Sequence, residues 1–203
     1  MNTLIKTIEI IGINAFALTG IFEARKKGMD FVGVYSVAMI TAFGGGSLRD
    51  IILNRHPLFW VEHYWYPLLL LGLSFLAALI IDQILTRTKA MTLVLVLDAL
   101  GLGLFSASGA SVADQAGCHP FISSVIGVMT GVFGGVMRDI ICNEIPYVFQ
   151  RSELYATCAF AGAWSYLLVV RTTADEFTAV ITCISVTLVL RMLAIRYKIR
   201  LPI

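Results

Sequence analysis

Two stretches of this chain carry the side chains able to handle a charge in an apolar setting. Thr41, Gly45, Gly46, Arg49, Asp50, Asn54 and Pro57 recur as Thr130, Gly134, Gly135, Arg138, Asp139, Asn143 and Pro146. Both stretches read T-x3-G-G-x2-R-D-I-I-x-N-x2-P. Adjacent glycines weaken a helix and let another backbone, or an ion, approach closely. An Arg-Asp pair beside an apolar run is costly in lipid and calls for a reason. The chemistry these residues suit is passage of a cation or small polar solute. Main-chain groups freed at a break around Gly44, Gly45 and Gly46, and around Gly134 and Gly135, would face a polar path with the hydroxyls of Thr41, Ser47 and Thr130. Helix-end carbonyls favour cations and helix-start amides favour anions. Arg49, Asp50, Arg138 and Asp139 read two ways, as salt bridges holding the helices together or as acids drawing cations into a vestibule while the arginines pin mobile segments. Glycine for close packing alone is the plainer alternative.

Other chemistries find little support. His56, His63 and His119 share no helical face and no metal-ligand spacing, so no metal is expected beyond a transient monovalent cation. Gly44-Gly45-Gly46 lacks the strand–turn–helix setting and following Lys of a phosphate loop. No Ser-His-Asp or Cys-His arrangement suggests an enzyme, nothing implies a cofactor, and no basic-aromatic pattern suggests nucleic acid. Cys118, Cys142, Cys158 and Cys183 lie far apart and read as buried reduced thiols.

The elements that must position these residues are membrane spans. The chain is 58% hydrophobic and 14% charged, against about a quarter charged in soluble domains. Its mean hydropathy is +0.85. Seven apolar stretches approach the roughly 20 residues that cross a bilayer, at about 5–24, 31–53, 65–85, 91–113, 120–142, 153–171 and 176–196. Short connections leave one transmembrane domain. The first stretch follows Lys6 and could pass for a signal peptide, but it has a partner deep in the chain. Gly134 minus Gly45 is 89, and the same offset pairs Glu9 with Asp98, Gly12 with Gly101, Phe16 with Phe105, Gly20 with Gly109, Ala24 with Ala113 and Gly28 with Gly117. Repeat one therefore covers about 5–86 and repeat two about 91–171, with an added helix at about 176–196. Three spans per repeat is an odd number, so the second copy enters the membrane from the opposite side.

Arg25, Lys26, Lys27, Arg87, Lys89, Arg138, Arg151, Arg191, Arg196, Lys198 and Arg200 gather on one side, against Lys6, Arg49, Arg55 and Arg171 on the other. The positive-inside rule makes the first side cytoplasmic, with the N-terminus outside and the C-terminus inside. Topology and anionic membrane lipid account for these basic residues. The four-residue rhythms Gly12-Phe16-Gly20-Ala24-Gly28 and Gly101-Phe105-Gly109-Ala113-Gly117 predict packing faces, as do Gly127, Gly131 and Gly135. Glu9 and Asp98 are expected near helix starts, where an acid suits the dipole. Trp60, Tyr64, Trp65 and Tyr66 predict an interfacial belt.

The doubled G-G-x2-R-D motif in a 3+3+1 chain resembles the prokaryotic trimeric intracellular cation (TRIC) channel family over nearly its whole length. The resemblance implies an all-α membrane protein of seven helices, with an inverted 3+3 repeat, an extra helix, and helices two and five kinked at their glycines. It implies a homotrimer in the cell (inner) membrane, with a pore in each protomer between helices two and five that passes potassium, sodium and other monovalent cations. The family's motif falls on Gly44, Gly45, Gly46, Gly134 and Gly135, and Phe133 stands where a glycine would mirror Gly44. Inverted repeats with interrupted helices also suit a small-solute transporter, and some relatives of this family carry a glycine-transporter label.

Overall fold

A computed structural model describes the backbone of residues 3–85, 88–151 and 153–200, and their side chains except at 78–90. Arg87 and the side chain of Lys89, both placed on the basic side above, lie outside the described residues. The helices are α1 (Thr3–Lys26), α2 (Phe31–Ile52), α3 (Trp65–Leu85), α4 (Thr88–Gln115), α5 (Pro120–Ile141), α6 (Ala156–Thr173) and α7 (Glu176–Tyr197), with a 3₁₀ turn at Tyr147–Phe149 before α6. Among the described residues five of them, α1, α2, α4, α5 and α7, are long and apolar enough to cross a bilayer. This is an all-α, multi-pass membrane protein. Helix α6 starts at Ala156 and not near 153, because Glu153 pairs instead with Arg200 in an antiparallel bridge and Leu154 N–H donates to Ile199 O at 3.1 Å.

Local signals explain the boundaries. Asp30 accepts from Gly33 N–H at 2.8 Å and caps α2, while Asp175 caps α7 through Phe177 and Thr178. Gly28 and Gly117 have φ of +71° and +79°. A methyl group on either would meet nothing within 4 Å, so they do not extend the packing faces expected of them. They end α1 and α4, where the left-handed turn lets Met29 N–H return to Ala24 O and Cys118 N–H to Ala113 O. The Asn of each motif ends its helix in the same way, Asn54 after α2 and Asn143 after α5, at φ of 50° and 56°.

The main departure from expectation lies at the motif glycines. Helices α2 and α5 run without interruption through Gly44–Gly46 and Gly134–Gly135. No break frees the main chain there, because each glycine stays within its own helix ladder and gives up only its missing side chain, which admits a neighbour. Phe133 in place of a third glycine likewise leaves α5 helical.

The two repeats interlock through equivalent contacts. Phe16 of α1 and Phe105 of α4 stack at 5.3 Å between ring centroids. Each ring lies over the other helix's glycine: a methyl on Gly12 would come 3.0 Å from Phe105, and one on Gly101 would come 2.4 Å from Phe16. Within the repeats, Gly20 lies against Thr41 and Gly109 against Thr130. Helix α7 stands outside this symmetry and packs on α4 and α6, with Gly103 beside Ile184 and Gly162 beside Thr187.

Candidate functional site

Helices α2 and α5 meet backbone to backbone. A methyl on Gly45 would lie 1.9 Å from the Thr130 carbonyl oxygen, and one on Gly134 would lie 2.3 Å from the Thr41 carbonyl oxygen. The two contacts join residues 45 with 130 and 134 with 41, so the helices run antiparallel. Gly44 adjoins Gly134 Cα in the same seam. The hydroxyls of Thr41 and Thr130 do not face the seam. Thr41 donates to Val37 O at 2.6 Å and Thr130 to Ile126 O at 2.7 Å, and their side chains fill the hollows over Gly20 and Gly109.

A charged cluster lies beyond each end of the seam, one turn past the glycines. At one end Arg49, which is buried, donates through Nη1 to Glu9 and to Ser108 Oγ at 2.7 Å, and through Nε to Asp50 at 2.8 Å. Ser108 donates to Glu9 at 2.7 Å. The second Asp50 oxygen accepts the Phe59 N–H at 3.0 Å. At the opposite end Arg138 donates to Asp98 at 3.0 Å, Thr19 Oγ1 at 3.0 Å and Asp139 at 2.9 Å, and Asp139 accepts the Tyr147 N–H at 2.9 Å. The clusters share the offset of 89: Glu9 matches Asp98, and Thr19 matches Ser108. Glu9 and Asp98 are thus counter-ions to the motif arginines deep in α1 and α4, and the helix-start reading is corrected. The offset was the signal for them; Thr19 and Ser108 needed the fold, since a lone hydroxyl among apolar residues points nowhere in particular.

A cavity adjoins each cluster. One of about 320 Å³ lies at the end that holds Lys26, Asp98, Arg138, Asp139, Glu144 and Arg191, here termed the basic end. One of about 140 Å³ lies at the opposite end against Lys6, Asp50, Arg55, Glu62 and Tyr66. The acids of the basic end are more open, with 12% of the Asp98 and 13% of the Asp139 side chain exposed against none of Glu9 and 3% of Asp50. At the rim, Lys27 pairs with Glu144 and holds its carboxyl below the usual range. The Tyr147 hydroxyl does the same for Glu153.

Residues 6–82 and 95–171 each match the family described as "Glycine transporter". The two matches are themselves 89 residues apart. The UPF0126 inner membrane protein YadS of Escherichia coli K12 is 35% identical over 98% of this chain and 95% of its own. The TRIC channel orthologue of Rhodobacter sphaeroides has a solved structure that superposes with a TM-score of 0.89 at 32% identity, covering 97% of this chain and 99% of that one. The chain belongs to the prokaryotic TRIC family. A second TRIC channel structure, determined for the basis of conductance, gives a TM-score of 0.85 at 37% identity over 98% of this chain and 96% of the other.

In this TRIC-family chain the fold brings Gly44, Gly45, Gly134 and the main chain of Thr41 and Thr130 into one seam. The remaining candidates sit to either side. Gly46 lies under the Phe59 ring, and Ser47 accepts the Trp60 indole N–H at 2.9 Å. Gly135 lies near the Tyr155 hydroxyl. Trp60 and Tyr66 turn inward from the expected belt, leaving Tyr64 and Trp65 exposed. Cys118 is partly exposed at the α4–α5 turn, unlike the three buried thiols.

Proposed function

We propose that this chain forms a channel for monovalent cations, potassium foremost, with a path through each protomer between α2 and α5. One observation carries the reading: two cavities at opposite ends, each lined by the Asp of an Arg-Asp cluster, on either side of a seam built from glycine and main-chain carbonyls. The acids concentrate cations at either mouth, the arginines keep the mouths from holding them, and the seam is the constriction. Structural relatives described as trimeric cation channels support a homotrimer in which the exposed apolar faces meet lipid or a second copy. The positive-inside rule places the basic end in the cytoplasm. Purified protein in a planar bilayer gives cation-selective single-channel currents under a KCl gradient, and silent bilayers containing folded protein refute the channel. The family's description favours a second reading, carriage of a small solute such as glycine. Saturable uptake of labelled glycine into proteoliposomes separates the two.

A further inference from the structure

The repeat symmetry isolates one charge that the seventh helix adds. In the first copy Asp50 has two cations, Arg49 at 2.8 Å and Arg55 at 4.0 Å. Asp139 keeps Arg138, but the position equivalent to Arg55 is Glu144, a reversal of charge. Among the described residues four carboxylates line the basic-end cavity: Glu23, Asp98, Asp139 and Glu144. Arg138 serves Asp98 and Asp139 together, Lys26 pairs with Glu23 at 3.4 Å, and Lys27 pairs with Glu144. Among the described residues of this cavity, the ion pairs thus set three cations, Arg138, Lys26 and Lys27, against four acids.

Arg191 of α7 reaches the same cavity. It is 2% exposed, and its guanidinium lies 4.8 Å from the Tyr147 ring centre and 4.9 Å from that of Tyr155. It donates to Leu154 O at 2.8 Å and Glu153 O at 3.3 Å, which fixes it in place. A guanidinium so clamped cannot swing away to let a cation take its position.

We propose that Arg191 is a specificity-determining residue of the channel: its fixed charge replaces the cation lost at position 144 and keeps divalent cations from lodging among the carboxylates of the basic-end cavity. The inference rests on the channel reading. A monovalent ion gains little from one unbalanced carboxylate beside water. A divalent ion gains twice as much and exchanges more slowly, so it would block.

The test compares full-length wild type, R191M, R191K and R191M/E144R in planar bilayers, with potassium current recorded as Mg²⁺ is added to either side in turn. R191M is expected to be blocked at a Mg²⁺ concentration on the order of tenfold lower than wild type, from one side only. R191K keeps the charge without the forked donors and stays near wild type. R191M/E144R returns the cation to its first-repeat position and also restores resistance. A merely structural Arg191 would lower stability or current without creating one-sided Mg²⁺ sensitivity. Unchanged Mg²⁺ sensitivity in a conducting R191M, or an R191K as sensitive as R191M, overturns the proposal. If R191M yields no folded protein, E144R alone decides: by over-filling the cavity with positive charge it lowers potassium current several-fold at low salt, and an unchanged current overturns the proposal. A wild type that passes no potassium refutes the channel reading itself.

Discussion

The seam makes a quantitative demand on Gly45 and Gly134. Ordinary contact of a methyl carbon with a neighbouring atom begins near 3.4 Å, but a methyl on Gly45 would stand 1.9 Å from Thr130 O and one on Gly134 would stand 2.3 Å from Thr41 O. Gly45→Ala therefore needs α2 and α5 to part by roughly 1.5 Å and Gly134→Ala by roughly 1.1 Å, since a helix carbonyl cannot rotate aside. Alanine returns up to about 1 kcal/mol of helix preference. Forced overpacking costs about 1–3 kcal/mol and a gap of this size forfeits a quarter to a half of the dispersion along the seam, so each variant is net destabilised. The contacts lie four residues apart on one seam, about 6 Å along the helix. A displacement that admits one methyl therefore admits the other, and G45A/G134A costs little more than G45A alone. Gly72→Ala, which meets nothing within 4 Å, serves as control. Thermal unfolding in detergent, followed by loss of the monodisperse species, reads all four. Fully additive losses, or a G45A that melts with the control, would refute the seam.

The motif glycines should also differ between copies: Gly46→Ala strikes the Phe59 ring at 2.4 Å, whereas Gly135→Ala fits with its nearest neighbour at 3.5 Å, so only the first lowers the melting temperature. Arg49→Met leaves Glu9 and Asp50 buried without their cation and costs about 3–5 kcal/mol, with the partner variant E9Q recovering part of it in a double-mutant thermal melt. Asn54→Gly and Asn143→Gly are tolerated while the alanine variants lose about 1 kcal/mol each, measured by the same melts, because only the alanine resists a left-handed turn. A membrane-impermeant maleimide applied outside intact cells labels Cys118 and leaves the three buried thiols unmodified. Labelling only from the cytoplasmic face would reverse the proposed orientation.

Much of the fold was legible because it rests on length, hydropathy and a constant offset. The spans fell within a few residues of the helices, and the offset paired glycines and acids that do occupy equivalent places. The rest failed for a physical reason. A glycine has several uses, which its neighbours in space decide: Gly28 turns a helix end, Gly45 admits a carbonyl, and Gly46 admits a ring. The sequence offered one pattern for all three. Glu9 was misread similarly, since its Arg49 partner is 40 residues away and only the α1–α2 packing brings them together.

The glycine seam carries a mechanical consequence for the proposed channel. Interlocked large side chains bury much apolar area and resist separation at about 25 cal/mol for each Å². Glycine against a carbonyl buries little beyond main chain that is already satisfied within each helix. The Phe16–Phe105 stack of α1 on α4 also holds the two repeats together, and the Phe16 ring borders the seam at Gly134. In the proposed channel the contact that parts for an ion to pass is then a glycine-to-carbonyl contact with few interlocked side chains at its centre. Opening of that proposed path also asks the charged clusters to yield, and each is tied to a loop amide, Phe59 at one end and Tyr147 at the other. Asp50→Asn and Asp139→Asn weaken those ties without changing volume. If the clusters limit opening, both variants raise open probability in single-channel records, and the Asp139 variant does so with less loss of stability because its side chain already meets the larger cavity. Unchanged gating in both would place the restraint outside the clusters.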